Sequence, residues 1–213
     1  VASAQPLVDQ DSFDPCAADA AAPAGPAFVP PVFLVGMMGA GKTTIGRGLA
    51  RALSREFLDV DLVLEARCGV RVPVIFELEG EEGFRRRETH ALDECSRIPG
   101  VVLATGGGAV LAERNRRMLK ERGIVLYLRA RAEELYQRTR YDRNRPLLQT
   151  PDPLGRITAL LRQREPLYEE IADLIIDTGR GSVPKLVNRI LPLLASCNKQ
   201  VRHPAELPPL ECL

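Results

Sequence analysis

The 213 residues carry 29 Lys and Arg against 28 Asp and Glu, a formal net charge of +1, so no overall field favours nucleic acid or a membrane surface. Hydrophobic residues make up 45% and charged residues 27%, which fills one substantial α/β core but, at this length, not two. Aromatic content of 5% with no Trp leaves few platforms for stacking single-stranded bases, and no apolar run approaches the ~20 residues of a membrane helix. Cys16, Cys68, Cys95, Cys197 and Cys212 form neither a CxxC pair nor a regular spacing, which fits reduced thiols of a cytosolic protein better than a zinc or disulfide framework.

In chain order, residues 1–30 hold Ala and Pro clusters and four Asp, with neither Lys nor Arg. They lack the basic start of a signal peptide and the arginines of a transit peptide, and are expected to be a disordered extension. PVFLV (31–35) predicts a short buried strand, followed by a glycine loop and the helical pattern TTIGRGLARAL. EFLDVD (56–61) reads as the second strand, with a helix through LVLEARC. VPVIFEL (72–78) places Pro73 where a helix's first turn tolerates it, and EEGFRRRETHALDECS (81–96) has helical spacing with Phe84, Ala91 and Leu92 on one stripe. VVLA (101–104) is a third strand ending in TGGG; a helix over 111–122 and the strand IVLYL (124–128) follow. AEELYQRTR predicts a helix and YDRNRPLLQTPDP a loop. The long helix LGRITALLRQREPLYEEIA is expected to kink or break at Pro166. DLIIDT is the fifth strand and VPKLVNRILPLLA the closing helix. This alternation argues for a parallel sheet covered on both faces, with ligands outside the carboxyl ends of its strands.

Gly36-Met37-Met38-Gly39-Ala40-Gly41-Lys42-Thr43 satisfies GxxxxGK[ST] between a buried strand and a helix. Such a loop turns its N–H groups onto phosphates, Lys reaches the terminal phosphates and the Thr hydroxyl takes Mg²⁺. Gly39, Ala40, Gly41, Lys42, Thr43 and Thr44 are therefore the expected ATP contacts. No guanine-reading NKxD follows a later strand, and motor ATPases need more chain, which leaves a kinase of a small substrate or a nucleotide.

Asp59 at a strand end beside that loop reads either as a metal-facing carboxylate or as a helix N-cap. Strand alternation would aim Asp61 into the same space. Arg85, Arg86 and Arg87 point in different directions on a helix, so one or two at most can enter a shared pocket. Thr105-Gly106-Gly107-Gly108 allows either a close ligand approach or a plain tight turn. Arg138, Arg140, Arg143 and Arg145 straddle a helix end and the loop before Pro146. They suit an RNA contact, a solvated face or a mobile lid over ATP, and the charge balance weighs against RNA. Arg164 lies on the next helix.

Together, GMMGAGKTTIGR, FLDVD, GEEGFRRRE, VLATGGGAV, RNRPLL and REPLYEEIAD resemble the shikimate kinase family, in its order, over about residues 31–195. The resemblance implies a P-loop NTPase fold: a five-stranded parallel sheet of order 2-3-1-4-5 in a three-layer α/β/α arrangement. It implies a kinase domain over 31–197, with a substrate-binding subdomain at about 61–90 and a lid at about 138–153, followed by a flexible tail over 198–213. It implies transfer of the ATP γ-phosphoryl group to the 3-hydroxyl of shikimate, on the route to chorismate and aromatic amino acids. By match of motif, Arg85, Arg164 and Gly107 hold shikimate and Asp61 meets its ring hydroxyls. Thr43 and Asp59 serve Mg²⁺, Lys42 and Arg145 the phosphates, Arg138 the adenine, and Arg180 the adenine-side loop. Asp61, Lys42 and Arg145 are the expected catalytic set. The expected partners are shikimate and MgATP, with no nucleic acid or membrane, in a cytoplasmic monomer. Val72-Pro73 departs from the family's usual Ile or Val followed by a polar residue. The rivals are a gluconate or nucleotide kinase, and a silent kinase-like module that binds a protein.

Overall fold

Val32–Val35 (β1) is a run of four apolar residues, all buried, and a strand without a polar face belongs at the centre of a sheet covered on both sides. It sits there in a computed structural model of the chain, which describes residues 29–141, 148, 150–179 and 181–207. The other strands are Phe57–Asp59 (β2), Val102–Ala104 (β3), Ile124–Arg129 (β4) and Leu174–Asp177 (β5). All pairings are parallel and the order is β2-β3-β1-β4-β5, as the resemblance implies. The register sets Leu34 and Asp59 both opposite Ala104, so three neighbouring strands end at one level. Thr105, just beyond β3, donates both its N–H and its hydroxyl to the Leu34 carbonyl, each at 3.1 Å.

The helices are Lys42–Leu53 (α1), Val60–Cys68 (α2), Val72–Ser96 (α3), Glu113–Arg122 (α4), Ala132–Thr139 (α5), Pro153–Ile171 (α6) and Val183–Ser196 (α7). α1 packs on α7, while α3 packs on α4 and α4 on α6. Among the described residues no helix is long and apolar enough to cross a membrane. The expected strand over 56–61 stops at Asp59: Val60 and Asp61 open α2, because the Asp59 carboxylate caps that helix by accepting the Asp61 N–H at 3.1 Å. The two segments of 72–96 meet at Gly80, whose φ of 69° and ψ of −178° break the helical path of α3. The break expected at Pro166 does not occur; α6 continues as one helix to Ile171.

A buried ionic cluster ties α3 to α4. Arg122 has 2% of its side chain exposed and meets Asp93 at 2.7 Å and the Ser96 hydroxyl at 2.8 Å, while Arg97 donates to both Asp93 oxygens. Within the stretch expected to be a tail, Lys199 meets Asp173 at 2.6 Å and the Gly123 carbonyl at 2.8 Å. The Arg202 N–H donates to the Glu121 carbonyl, and Leu207 is buried with its carbonyl facing Arg97.

Candidate active site

The phosphate loop follows β1 and opens α1, and Gly36, Gly39 and Gly41 all take positive φ. Lys42 Nζ donates to the carbonyls of Gly36 at 2.8 Å and Met37 at 3.0 Å, which lays the ammonium along the loop. Thr43, on the first turn of α1, donates its hydroxyl to Asp59 Oδ2 at 2.7 Å. Asp59 is thus the N-cap of α2 through one oxygen, while its other oxygen accepts from Thr43. Ala40 is buried within the loop and Thr44 is exposed on α1. Among the described residues no three His, Cys, Asp or Glu side chains gather as a metal site. The pair of hard oxygens at Thr43 and Asp59 suits a cation that takes its remaining ligands from water and phosphate, as Mg²⁺ does.

Beside this pair lies a cavity of about 400 Å³ bounded by α2, both halves of α3, the glycine turn after β3, and α6. Asp61, Arg85, Gly107 and Arg164 all line it, together with Thr43, Asp59 and Met38. Asp61 and Asp59 do face one space, but through a strand end and a helix's first turn rather than through strand alternation. Arg85 turns inward, donating to Glu88 at 2.6 Å and to Glu81 at 3.2 Å. Arg86 and Arg87 face outward, paired with Glu82 and Glu79. Gly106 and Gly108 leave the space that Glu88 and Arg85 occupy. A Cβ on Gly106 would lie 2.1 Å from Glu88 Oε1, and one on Gly108 would lie 2.2 Å from Arg85 Nη2. Phe76 and Phe84 stack at 4.3 Å across the Gly80 joint, and the Arg85 guanidinium sits 5.4 Å from the Phe84 ring. Val72 and Pro73, where the sequence departs from the family pattern, line the mouth, and the Val72 N–H donates to Glu65.

Glu88 is fully buried, and burial, reinforced by the Asp61 charge, raises its carboxyl above the ordinary range although Arg85 pulls the other way. Burial would lower Arg85, but Glu88 and Glu81 more than offset it and hold the guanidinium more firmly protonated. Arg164, 3% exposed, is lowered by burial and donates to the Gly107 carbonyl at 3.2 Å. The pocket thus gathers the half-buried Arg85, the buried Arg164 and the Asp61 carboxylate, donors and an acceptor suited to a small hydroxylated acid.

Arg138 reaches the phosphate loop from α5. It donates to the carbonyls of Gly39, Thr178 and Gly179 and to the Thr178 hydroxyl, so it bridges the loop to the segment after β5. Arg145 and Arg180, with Arg143, lie outside the described residues. Sequence reasoning assigned no individual role to Glu88 or Tyr168, and read Gly106 and Gly108 only as part of the glycine run. The signal for Glu88 is its place three residues after Arg85 on one helix face; Tyr168 stands one turn after Arg164.

A sequence profile of the family described as shikimate kinase matches residues 38–195. Curated relatives include a shikimate kinase of Bordetella avium, 66% identical over 171 residues (80% of this chain, 82% of the relative). Another, of Bordetella pertussis, is 62% identical over 195 residues, 90% of this chain and 92% of the relative. Among solved structures, shikimate kinase from Acinetobacter baumannii in complex with shikimate superposes with a TM-score of 0.78 at 49% identity, covering 81% of this chain and 96% of that one. The likeness runs along most of the sequence and takes in the phosphate loop and the strand ends beside it, and the chain belongs to the shikimate kinase family.

Proposed function

We propose that this protein transfers the γ-phosphoryl group of ATP to the 3-hydroxyl of shikimate, giving shikimate 3-phosphate and ADP on the route to chorismate. One observation carries the reading: Asp61, Arg85 and Arg164 line a single cavity that opens beside Thr43 and Asp59, so acceptor and phosphate sites share a wall. Arg85 and Arg164 take the shikimate carboxylate, with Glu88 holding Arg85 at the required angle. Asp61 orients the 3-hydroxyl and receives its proton as the oxygen bonds to the γ-phosphorus. The bond to the β–γ bridging oxygen breaks in line, and ADP leaves with the electron pair. Lys42 and the loop N–H groups follow the charge developing on the phosphate oxygens. Mg²⁺ held by Thr43 and Asp59 would supply further neutralisation of the β- and γ-phosphates. Arg138, Arg145 and Arg180 complete the nucleotide side. The protein works as a monomer in the cytoplasm.

A coupled ADP assay with shikimate, gluconate and AMP, with and without Mg²⁺, tests the assignment. Turnover confined to shikimate and dependent on Mg²⁺ is expected; turnover of gluconate or AMP without shikimate refutes it. Asp61→Asn should lower kcat by about 10²–10⁴-fold, the usual worth of a positioned base, while leaving ATP affinity near its original value. Turnover within a few-fold of wild type removes Asp61 as the proton acceptor.

A further inference from the structure

Two tyrosines lie behind the acceptor pocket, outside its lining. Tyr127 on β4 and Tyr168 on α6 are both fully buried and stack with ring centroids 5.0 Å apart at 24°. Their hydroxyls have opposite circumstances. That of Tyr127 finds no partner among the described residues, whereas that of Tyr168 donates to the Gly107 carbonyl at 2.5 Å and also meets the Arg164 guanidinium. Arg164, one helical turn earlier, donates to the same carbonyl at 3.2 Å. A carbonyl oxygen has two lone pairs, so these two donors saturate it.

We propose that Tyr168 is a positioning residue of the acceptor clamp: its phenol fixes the Gly107 carbonyl and, through it, the Arg164 guanidinium. Gly107 is the middle of three glycines whose neighbours press against Glu88 and Arg85. Holding its carbonyl therefore sets the turn on which both arginines depend. Arg164 Nε has no partner among the described residues, which leaves the Gly107 carbonyl and the Tyr168 phenol as the anchors of that guanidinium. A tyrosine present only to fill the core would need no hydroxyl here.

The inference rests on Arg164 as a ligand of the shikimate carboxylate, and the stacked pair supplies its own control. Tyr168→Phe and Tyr127→Phe each delete one buried hydroxyl and keep the stacked rings. Kinetics with shikimate and ATP, thermal melting, and calorimetric binding of shikimate and of its methyl ester are measured for each, and for Arg164→Ala. Tyr168→Phe should raise the shikimate KM about tenfold, equivalent to ~1.4 kcal/mol. It should leave the ATP KM unchanged and shrink the preference for acid over ester by the same factor. Tyr127→Phe should move none of these. If Tyr168→Phe lowers the melting temperature and shifts both KM values together, its hydroxyl is structural and the proposal falls. If the acid–ester preference collapses in Arg164→Ala but survives in Tyr168→Phe, the clamp stands and the positioning role is refuted alone. If Arg164→Ala keeps the preference, both fail.

Discussion

Gly106→Ala tests how tightly the acceptor pocket is built. The added Cβ would stand 2.1 Å from Glu88 Oε1, 3.4 Å from Glu88 Cδ and 3.3 Å from Asp61 Oδ1. The first distance is about 1 Å inside normal contact, and Glu88 has no exposed surface into which to retreat. Either the glycine turn shifts, at the ~1–3 kcal/mol of an overpacked core, or Glu88 withdraws from Arg85 and unpairs a buried ion pair, at ~3–5 kcal/mol. The cheaper route sets the loss, about 1–3 kcal/mol, which for a domain of this size lowers Tm by roughly 2–12 °C. Either movement also displaces Arg85, so the shikimate KM should rise about tenfold or more while the ATP KM holds. Gly107→Ala is the matched control for the fold: its Cβ comes no nearer than 3.4 Å to any atom, and its Tm should stay within about 2 °C of wild type. Calorimetric melting and the coupled assay decide the matter. A Gly106→Ala protein with wild-type Tm and wild-type shikimate KM would refute the claim that Glu88 is pinned beneath the turn.

The Asp93 cluster predicts a pH signature. Burial acts to raise the Asp93 carboxyl, but hydrogen bonds from Arg97 and Arg122 overcome it and hold the group below the usual carboxylate range. Its folded pKa lies under the unfolded value of about 4, so its stabilisation is complete above that value and lost as pH falls through the folded pKa. The Tm gap between wild type and Asp93→Asn should accordingly be widest near neutrality and close as pH falls through the folded pKa. A gap independent of pH points to packing instead. Ending the chain at Ser196 removes the Lys199–Asp173 pair and buried Leu207. Net of the ordering entropy of the segment, about 1–2 kcal/mol should go and Tm should fall about 3–6 °C, with kinetic constants unchanged. A change in either KM places the segment in the catalytic cycle.

The sheet was legible in the sequence because its central strands are apolar runs between turn residues, and a run such as VFLV has no other stable place in a domain of this size. The phosphate loop was legible because its glycines and Lys42 mean little except beside a phosphate. Asp61 was misplaced for a local reason: Phe57, Asp59 and Asp61 alternate like a strand, and the strand ends because the Asp59 carboxylate caps the Asp61 N–H, the N-cap alternative that the sequence left open. Glu88 closes the motif GEEGFRRRE, where the reading fell on the arginines; its burial involves Arg85 and the approach of Gly106 from a turn eighteen residues away. Tyr168 reads as core because it is core, and its second property depends on where Gly107 aims its carbonyl. The stretch after Asn198 is polar and proline-rich, and its anchors lie 26 to 110 residues away in the chain. Local composition carries no trace of them.

Thr105 bears on a different question, whether a well-folded molecule is also a working one. In a parallel sheet a slip of two residues keeps every side chain on its original face and moves the strand about 6.6 Å. β3, with its short apolar run, would bury much the same surface after such a slip, so the hydrophobic core discriminates weakly between the two arrangements. The chemistry discriminates absolutely, since the glycine turn would leave the level of Asp59 and of the phosphate loop. Both polar groups of Thr105 converge on the Leu34 carbonyl in one alignment alone. Stability and competence are thus separable properties of this chain, and a single hydroxyl sits where they are joined.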